Sequence, residues 1–154
     1  MKLRQIVTGC LLGLVSFSGC GGDGKTDTTK ERLKSMAGGQ LKDVVAIKGV
    51  VNIDGSPAAG VNIFLYREGE TSSSKECRTD EKGKYCWSSY LACDGLEPGT
   101  YTLGFTHVPK PKKNGTGVDS FKGKYLDPKK RKFELRVEKG KPQVEANYDL
   151  VTKK

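Results

Sequence analysis

From Val45 to Leu150 apolar side chains recur at every second position in run after run, and turn-forming residues separate most of the runs. Period two is the spacing of a strand with one face on a core; a helix buries a face at a different spacing. Val45, Ile47, Val51 and Ile53 form the first run, opposed by Lys48 and Asn52. Asp54-Gly55-Ser56-Pro57 then turns the chain, because Gly takes a positive φ freely and Pro cannot continue a ladder. Val61, Ile63 and Leu65 form the second run. Lys75 to Thr79 and Lys84 to Tyr90 flank Asp80-Glu81-Lys82-Gly83, a four-residue hairpin loop whose aspartate can accept from the backbone ahead of it. Asp94 to Gly99 is a corner leading into Thr100 to Val108, with Tyr101, Leu103 and Phe105 inward. Phe133, Leu135 and Val137, then Val144, Ala146, Tyr148 and Leu150, complete the set around a Gly140-Lys141-Pro142 turn. Turn signals roughly every eight to twelve residues predict an all-β fold, a seven-stranded antiparallel β-sandwich over residues 44–151. Trp87, the single tryptophan, is expected as a core anchor or a flanking packer.

The N-terminal segment follows another rule. Lys2 and Arg4 precede an apolar run from Ile6 to Phe17, and Ser18-Gly19-Cys20 follows. A positive start, a short apolar stretch and small residues before a cut make an export signal; a membrane span needs about 20 apolar residues. Phe17-Ser18-Gly19-Cys20 resembles the bacterial lipobox, with Phe where Leu is usual. That resemblance implies removal of residues 1–19 as a lipoprotein signal peptide and fatty acylation of Cys20, which holds the chain to a membrane. Val7-Thr8-Gly9-Cys10 has the same spelling but leaves almost no apolar run before it. Each buried methylene contributes about 0.8 kcal/mol, so two or three chains anchor firmly. The plainer alternative is an ordinary secretory signal with a coincidental cysteine. Either way the chain is expected to be exported, facing the periplasm or cell surface, where disulfides persist. Residues 20–43 read as a flexible tether: Gly21 to Thr29 is polar and Gly-rich, and Lys30 to Met36 makes a short helical stretch that Gly38-Gly39 ends. Residues 152–154 are a basic tail.

A length of 154 residues, 35% of them hydrophobic and 20 of them glycine, suits one turn-rich β domain plus a tail. The formal net charge of +9 is concentrated in the last third, where His107 to Lys154 holds 14 Lys and Arg against 6 Asp and Glu. Lys110, Lys112, Lys113, Lys122, Lys124, Lys129, Lys130, Arg131 and Lys132 make a basic loop able to grip an anionic partner, whether lipid headgroups, an acidic glycan or an acidic protein. Tyr125 and Phe121 would supply stacking. The competing reading is a solvated loop whose lysines serve solubility. Nucleic acid is not expected outside the cytoplasm.

Gly49 to Pro57, Gly60 to Phe64, Thr79 to Tyr85, Asp94 to Tyr101 and Lys124 to Pro128 resemble the carboxypeptidase regulatory-like domain. The chain is similar to short planctomycete lipoproteins that carry it. The resemblance implies a transthyretin-like sandwich over residues 44–151 and a non-catalytic accessory module. Transthyretin-like folds include a purine-pathway hydrolase, but its several histidines and its Tyr-Arg-Gly-Ser ending are not found here.

Chemistry by the chain itself is not expected. His107 is the single histidine, at a strand end, with no nucleophile motif around it. Cys77, Cys86 and Cys93 lack the Cys-x-x-Cys pairs of a zinc site, so neither metal nor cofactor is expected. Counting outward from the Asp80 turn sets Cys77 opposite Cys86, the first disulfide candidate; Cys86 with Cys93 is the alternative. Lys48, Asn147 and Glu76 also supply the residue types of an internal isopeptide bond.

Overall fold

The computed structural model describes residues 28–109, 117–127 and 132–152. Within them lie one helix, α1 (Thr28–Met36), and nine strands: β1 (Ala46–Ile53), β2 (Ser56–Pro57), β3 (Val61–Arg67), β4 (Lys75–Arg78), β5 (Lys84–Cys86), β6 (Gly99–His107), β7 (Phe133–Val137), β8 (Gln143–Glu145) and β9 (Tyr148–Leu150). They form two sheets, a β-sandwich.

The first sheet is built on β1. Along one edge β5 and then β2 pair with it antiparallel, and Val51 shows that both lie on the same side: its N–H donates to Gly83 and its carbonyl accepts from Ala58. Along the other edge β8 and β9 pair with it parallel, Ala46 with Gln143 through Ile53 with Leu150. The second sheet is antiparallel throughout, in the order β4-β3-β6-β7.

This architecture corrects the expected strand set. Among the described residues there are nine strands, not seven, and two pairings are parallel. One extra strand arises because Asp54 and Gly55 alone make the first turn, at φ 50° and 85°, which frees Ser56 and Pro57 to pair back with Ile53 and Asn52. Two central residues of positive φ give the hairpin turn that matches strand twist. The other arises because the final run is interrupted at Ala146 and Asn147. Lys84 to Tyr90 is a strand only as far as Cys86.

The interruption is held by side chains. Ala146 N–H still donates to the Lys48 carbonyl at 2.9 Å, but its own carbonyl leaves the ladder and accepts from the Tyr85 hydroxyl at 2.7 Å. Val50 N–H, which would otherwise lack an acceptor, donates to Asn147 Oδ1 at 2.8 Å. The displaced Ala146 carbonyl overlies Gly49 so closely that a Cβ there would overlap it. Gly49 is therefore required by close approach of two backbones rather than by its dihedral angles.

The inward faces match the period-two reading. Val45, Ile47 and Val51 meet Val61, Ile63 and Leu65 and also Leu103, Phe105, Leu135 and Val137 across the core, with Trp87 fully buried. Aromatic rings run through it continuously. Trp87 stands edge-on to Tyr85, Tyr85 stacks on Tyr148, and Tyr148 meets Phe105 and Phe133 of the opposite sheet at 5.4 and 5.5 Å. Such pairs contribute about 0.5 to 1.5 kcal/mol each beyond the area they bury.

Replacing Gly49 with Ala forces the Ala146 carbonyl away and breaks its bond to Tyr85. We expect a loss of roughly 3 kcal/mol in urea unfolding, against about 1 kcal/mol for Asn147→Ala, which removes the acceptor of Val50 N–H and a long, exposed bond to Glu145.

Candidate functional site

The turn at Asp80 carries the chain from one sheet to the other. β4 pairs with β3, Arg78 opposite Asn62, whereas β5 pairs with β1, Lys84 opposite Val50. Asp80 Oδ1 accepts from the N–H groups of Lys84 and Lys82, each at 2.8 Å, and those donors, Lys84 first, hold its carboxyl below the ordinary carboxylate range.

This crossing gathers cations at the edge of the first sheet. A depression of about 650 Å³ lies there, floored by Ala46 and Val50 and rimmed by Lys48, Lys84 and Arg78. Lys48 faces Cys86 on one neighbouring strand and Glu145 on the other. The Arg78 guanidinium packs against Gly60, where a Cβ would stand 3.0 Å from its Nη2. Among the described residues Lys48, Arg78 and Lys84 form no ion pair. The nearby carboxylates are engaged: Asp80 by backbone, Glu145 by the Asn147 amide at 3.4 Å.

One wall of the depression is the loop after β5. Cys86 and Cys93 are joined in a disulfide with their Cα atoms 5.2 Å apart. Asp94 accepts from the N–H groups of Ser89, Tyr90 and Leu91 at 2.6 to 2.9 Å. Burial pushes the Asp94 carboxyl up, but these backbone donors outweigh it and leave it below its usual value. Gly95, at φ 109°, lies against the Val45 carbonyl so tightly that no side chain fits.

The disulfide corrects the first cysteine pairing. Because β4 and β5 belong to different sheets, Cys77 lies opposite Ile63 rather than Cys86. Cys77 packs against the core as a free thiol, and burial pushes it up to about 12, while Cys86 lines the outer depression. Burial likewise raises the hydroxyls of Tyr85 and Tyr148, the latter to about 12.

The remaining sequence candidates are scattered. Cys20, Lys110, Lys112, Lys113, Lys129, Lys130 and Arg131 lie outside the described residues. Lys122 and Lys132 are exposed, and Lys124 Nζ sits 5.1 Å over the Tyr125 ring. Phe121 does not stand free for stacking: at 3% exposure it belongs to the core. Residues 117–127 are pinned to β6, since Asp119 Oδ1 accepts from His107 N–H at 2.9 Å and Ser120 N–H donates to the His107 carbonyl at 2.8 Å. His107 Nδ1 meets Ser120 Oγ at 3.1 Å in the same fastening. Lys48 and Asn147 are exposed on the first sheet and Glu76 pairs opposite Phe64 in the second, so the isopeptide residues do not converge. The depression was not foreseen, because the register that gathers Lys48, Arg78 and Lys84 joins strands distant in the chain.

No protein-family model matches the sequence, and no curated protein does. Among solved structures, the chain is similar to the major pilin subunit of Bacillus cereus, with a TM-score of 0.44 and 16% identity over 70% of this chain and 29% of the pilin. It is similar to (S)-allantoin synthase, with a TM-score of 0.44 and 12% identity over 78% of this chain and 46% of the synthase. A third likeness is to 5-hydroxyisourate hydrolase of Klebsiella pneumoniae, with a TM-score of 0.41 and 15% identity over 71% of this chain and 92% of the hydrolase. The chain thus spans under a third of the pilin and under half of the synthase. Likeness of fold does not transfer chemistry.

Two outcomes check this description. Iodoacetamide at pH 8 should leave Cys77 unmodified in the folded protein and alkylate it after unfolding, with Cys86 and Cys93 recovered as one linked pair in the peptide map. Asp80 and Asp94 have folded values below their unfolded ones, so their stabilisation is complete above the ordinary carboxylate range, about pH 4, and is lost as pH falls through the lower folded values. Melting temperature should therefore drop between pH 4 and 2, and less steeply in Asp94→Asn.

Proposed function

We propose that the chain is an exported lipoprotein in which Cys20 carries the fatty chains and the sandwich serves as a non-catalytic structural or binding module of the carboxypeptidase regulatory-like, transthyretin-like kind. The single observation that carries this reading is the order of segments: a Lys2 and Arg4 start, an apolar run ending at Phe17-Ser18-Gly19-Cys20, a polar stretch, and then a folded domain that begins at Val45. A lipid on Cys20 would place that domain within a short tether of a membrane surface. The non-catalytic half of the reading is supported by the use made of His107, whose ring and backbone fasten the 117–127 segment to β6. The partner is an envelope protein or an anionic glycan. The basic stretch 110–132 is a second route to an anionic partner, supported by the exposure of Lys122 and Lys132.

Expression in a bacterial host, followed by membrane fractionation and intact mass analysis, tests the anchor. The wild-type chain should sediment with membranes at a mass lacking residues 1–19 and carrying acyl groups. Cys20→Ala should appear in the soluble fraction or retain its signal, with the sandwich melting unchanged. Membrane retention of a processed Cys20→Ala chain would refute the lipid anchor.

A further inference from the structure

We infer that the outer face of the first sheet binds a carboxylated oligosaccharide, with Lys48, Arg78 and Lys84 gripping its carboxylates. The inference rests on the binding half of the reading above and is independent of the lipid anchor.

Three features carry it. The first is charge: Lys48, Arg78 and Lys84 line one depression with no direct ion pair among the described residues, and although Asp80 and Glu145 line it too, the cations outnumber the carboxylates. An anion entering there meets charged donors that no direct ion pair holds. The second is spacing. Lys48 pairs with Cys86, so Lys84, two residues before Cys86, is its diagonal neighbour on the same face. Diagonal neighbours stand about 7 to 8 Å apart at the backbone, so two side chains leaving the same face can meet two separate carboxylates. Arg78, held against Gly60, offers a planar fork from a third direction.

The third feature is the lining between the cations. Gln143 offers an amide for hydroxyl groups, and Ala46, Val50 and the Cys86–Cys93 disulfide give an apolar floor for ring faces. Tyr85, the one aromatic in the lining, is buried with its hydroxyl committed to Ala146. Among the described residues the lining therefore has no exposed aromatic of the kind on which single-stranded nucleic acid stacks or protein interfaces are anchored. A volume of about 650 Å³ is ample for a few sugar rings.

Titration calorimetry on the full chain in detergent, with oligogalacturonate, an uncharged maltooligosaccharide of equal length and poly-glutamate, tests the assignment. Oligogalacturonate should bind saturably and more weakly as salt rises, and the uncharged sugar should not bind. Lys48→Ala, Arg78→Ala and Lys84→Ala together should weaken binding by about tenfold or more, with melting temperature as control. If the triple variant unfolds, Lys48→Gln with Lys84→Gln, both at exposed positions, gives the same readout. No binding of oligogalacturonate overturns the inference, as does equal binding of poly-glutamate. Loss of binding in Lys122→Ala with Lys124→Ala and Lys132→Ala, but not in the Lys48 set, would move the site to the basic loop and overturn it equally.

Discussion

Every backbone donor and acceptor of a central strand needs a partner, and in the first sheet that requirement falls on β1. Its partners come from both directions of the chain: β5 and β2 on one edge, β8 and β9 on the other. Where the second edge is interrupted, the Asn147 amide takes over for the missing carbonyl, and the Tyr85 hydroxyl receives the carbonyl that left. The arrangement works only because residue 49 has no side chain. One glycine, one asparagine and one tyrosine therefore close a sheet that period-two hydrophobicity alone would leave open along that edge.

The rest of the sandwich leans on this closure. Tyr148 stands just beyond the interruption, and its ring joins Tyr85 of the first sheet to Phe105 and Phe133 of the second. Beyond the point where β7 stops pairing with β6, the segment around Asp119 takes the vacated edge and sends Phe121 into the core. On the outer side of the first sheet Lys48, Lys84 and Arg78 line one depression because the Asp80 turn crosses between layers.

The alternation of apolar residues revealed which side of each strand faces inward, and the residues named for β1, β3 and β6 occupy the core as read. It could not reveal neighbours. A four-residue loop with Asp and Gly looks the same whether its strands stay together or part, and the decision here lies with Asn62 opposite Arg78 and Val50 opposite Lys84, pairings far apart in sequence. That is why Cys77 and Cys86 seemed to face each other and do not. Among the lysines of the basic loop, Phe121 reads as a stacking group for an anionic partner, but it lies in the core. Its burial depends on Asp119, whose carboxylate takes N–H groups from His107, Phe121 and Gly123. The cation-rimmed depression was hidden for the same reason, since it exists only once the register is known.

The parallel pairing of β1 with β8 and β9 has a consequence for timing. Val50 waits for Asn147, 97 residues later in the chain, before its amide is satisfied. A ribosome adding residues one at a time delivers the first strand of this sheet well before its closing strands, so the emerging chain cannot complete the layer until residues as far as Leu150 have been made. Until those distant stretches meet, neither has its full set of backbone partners, so neither can settle alone.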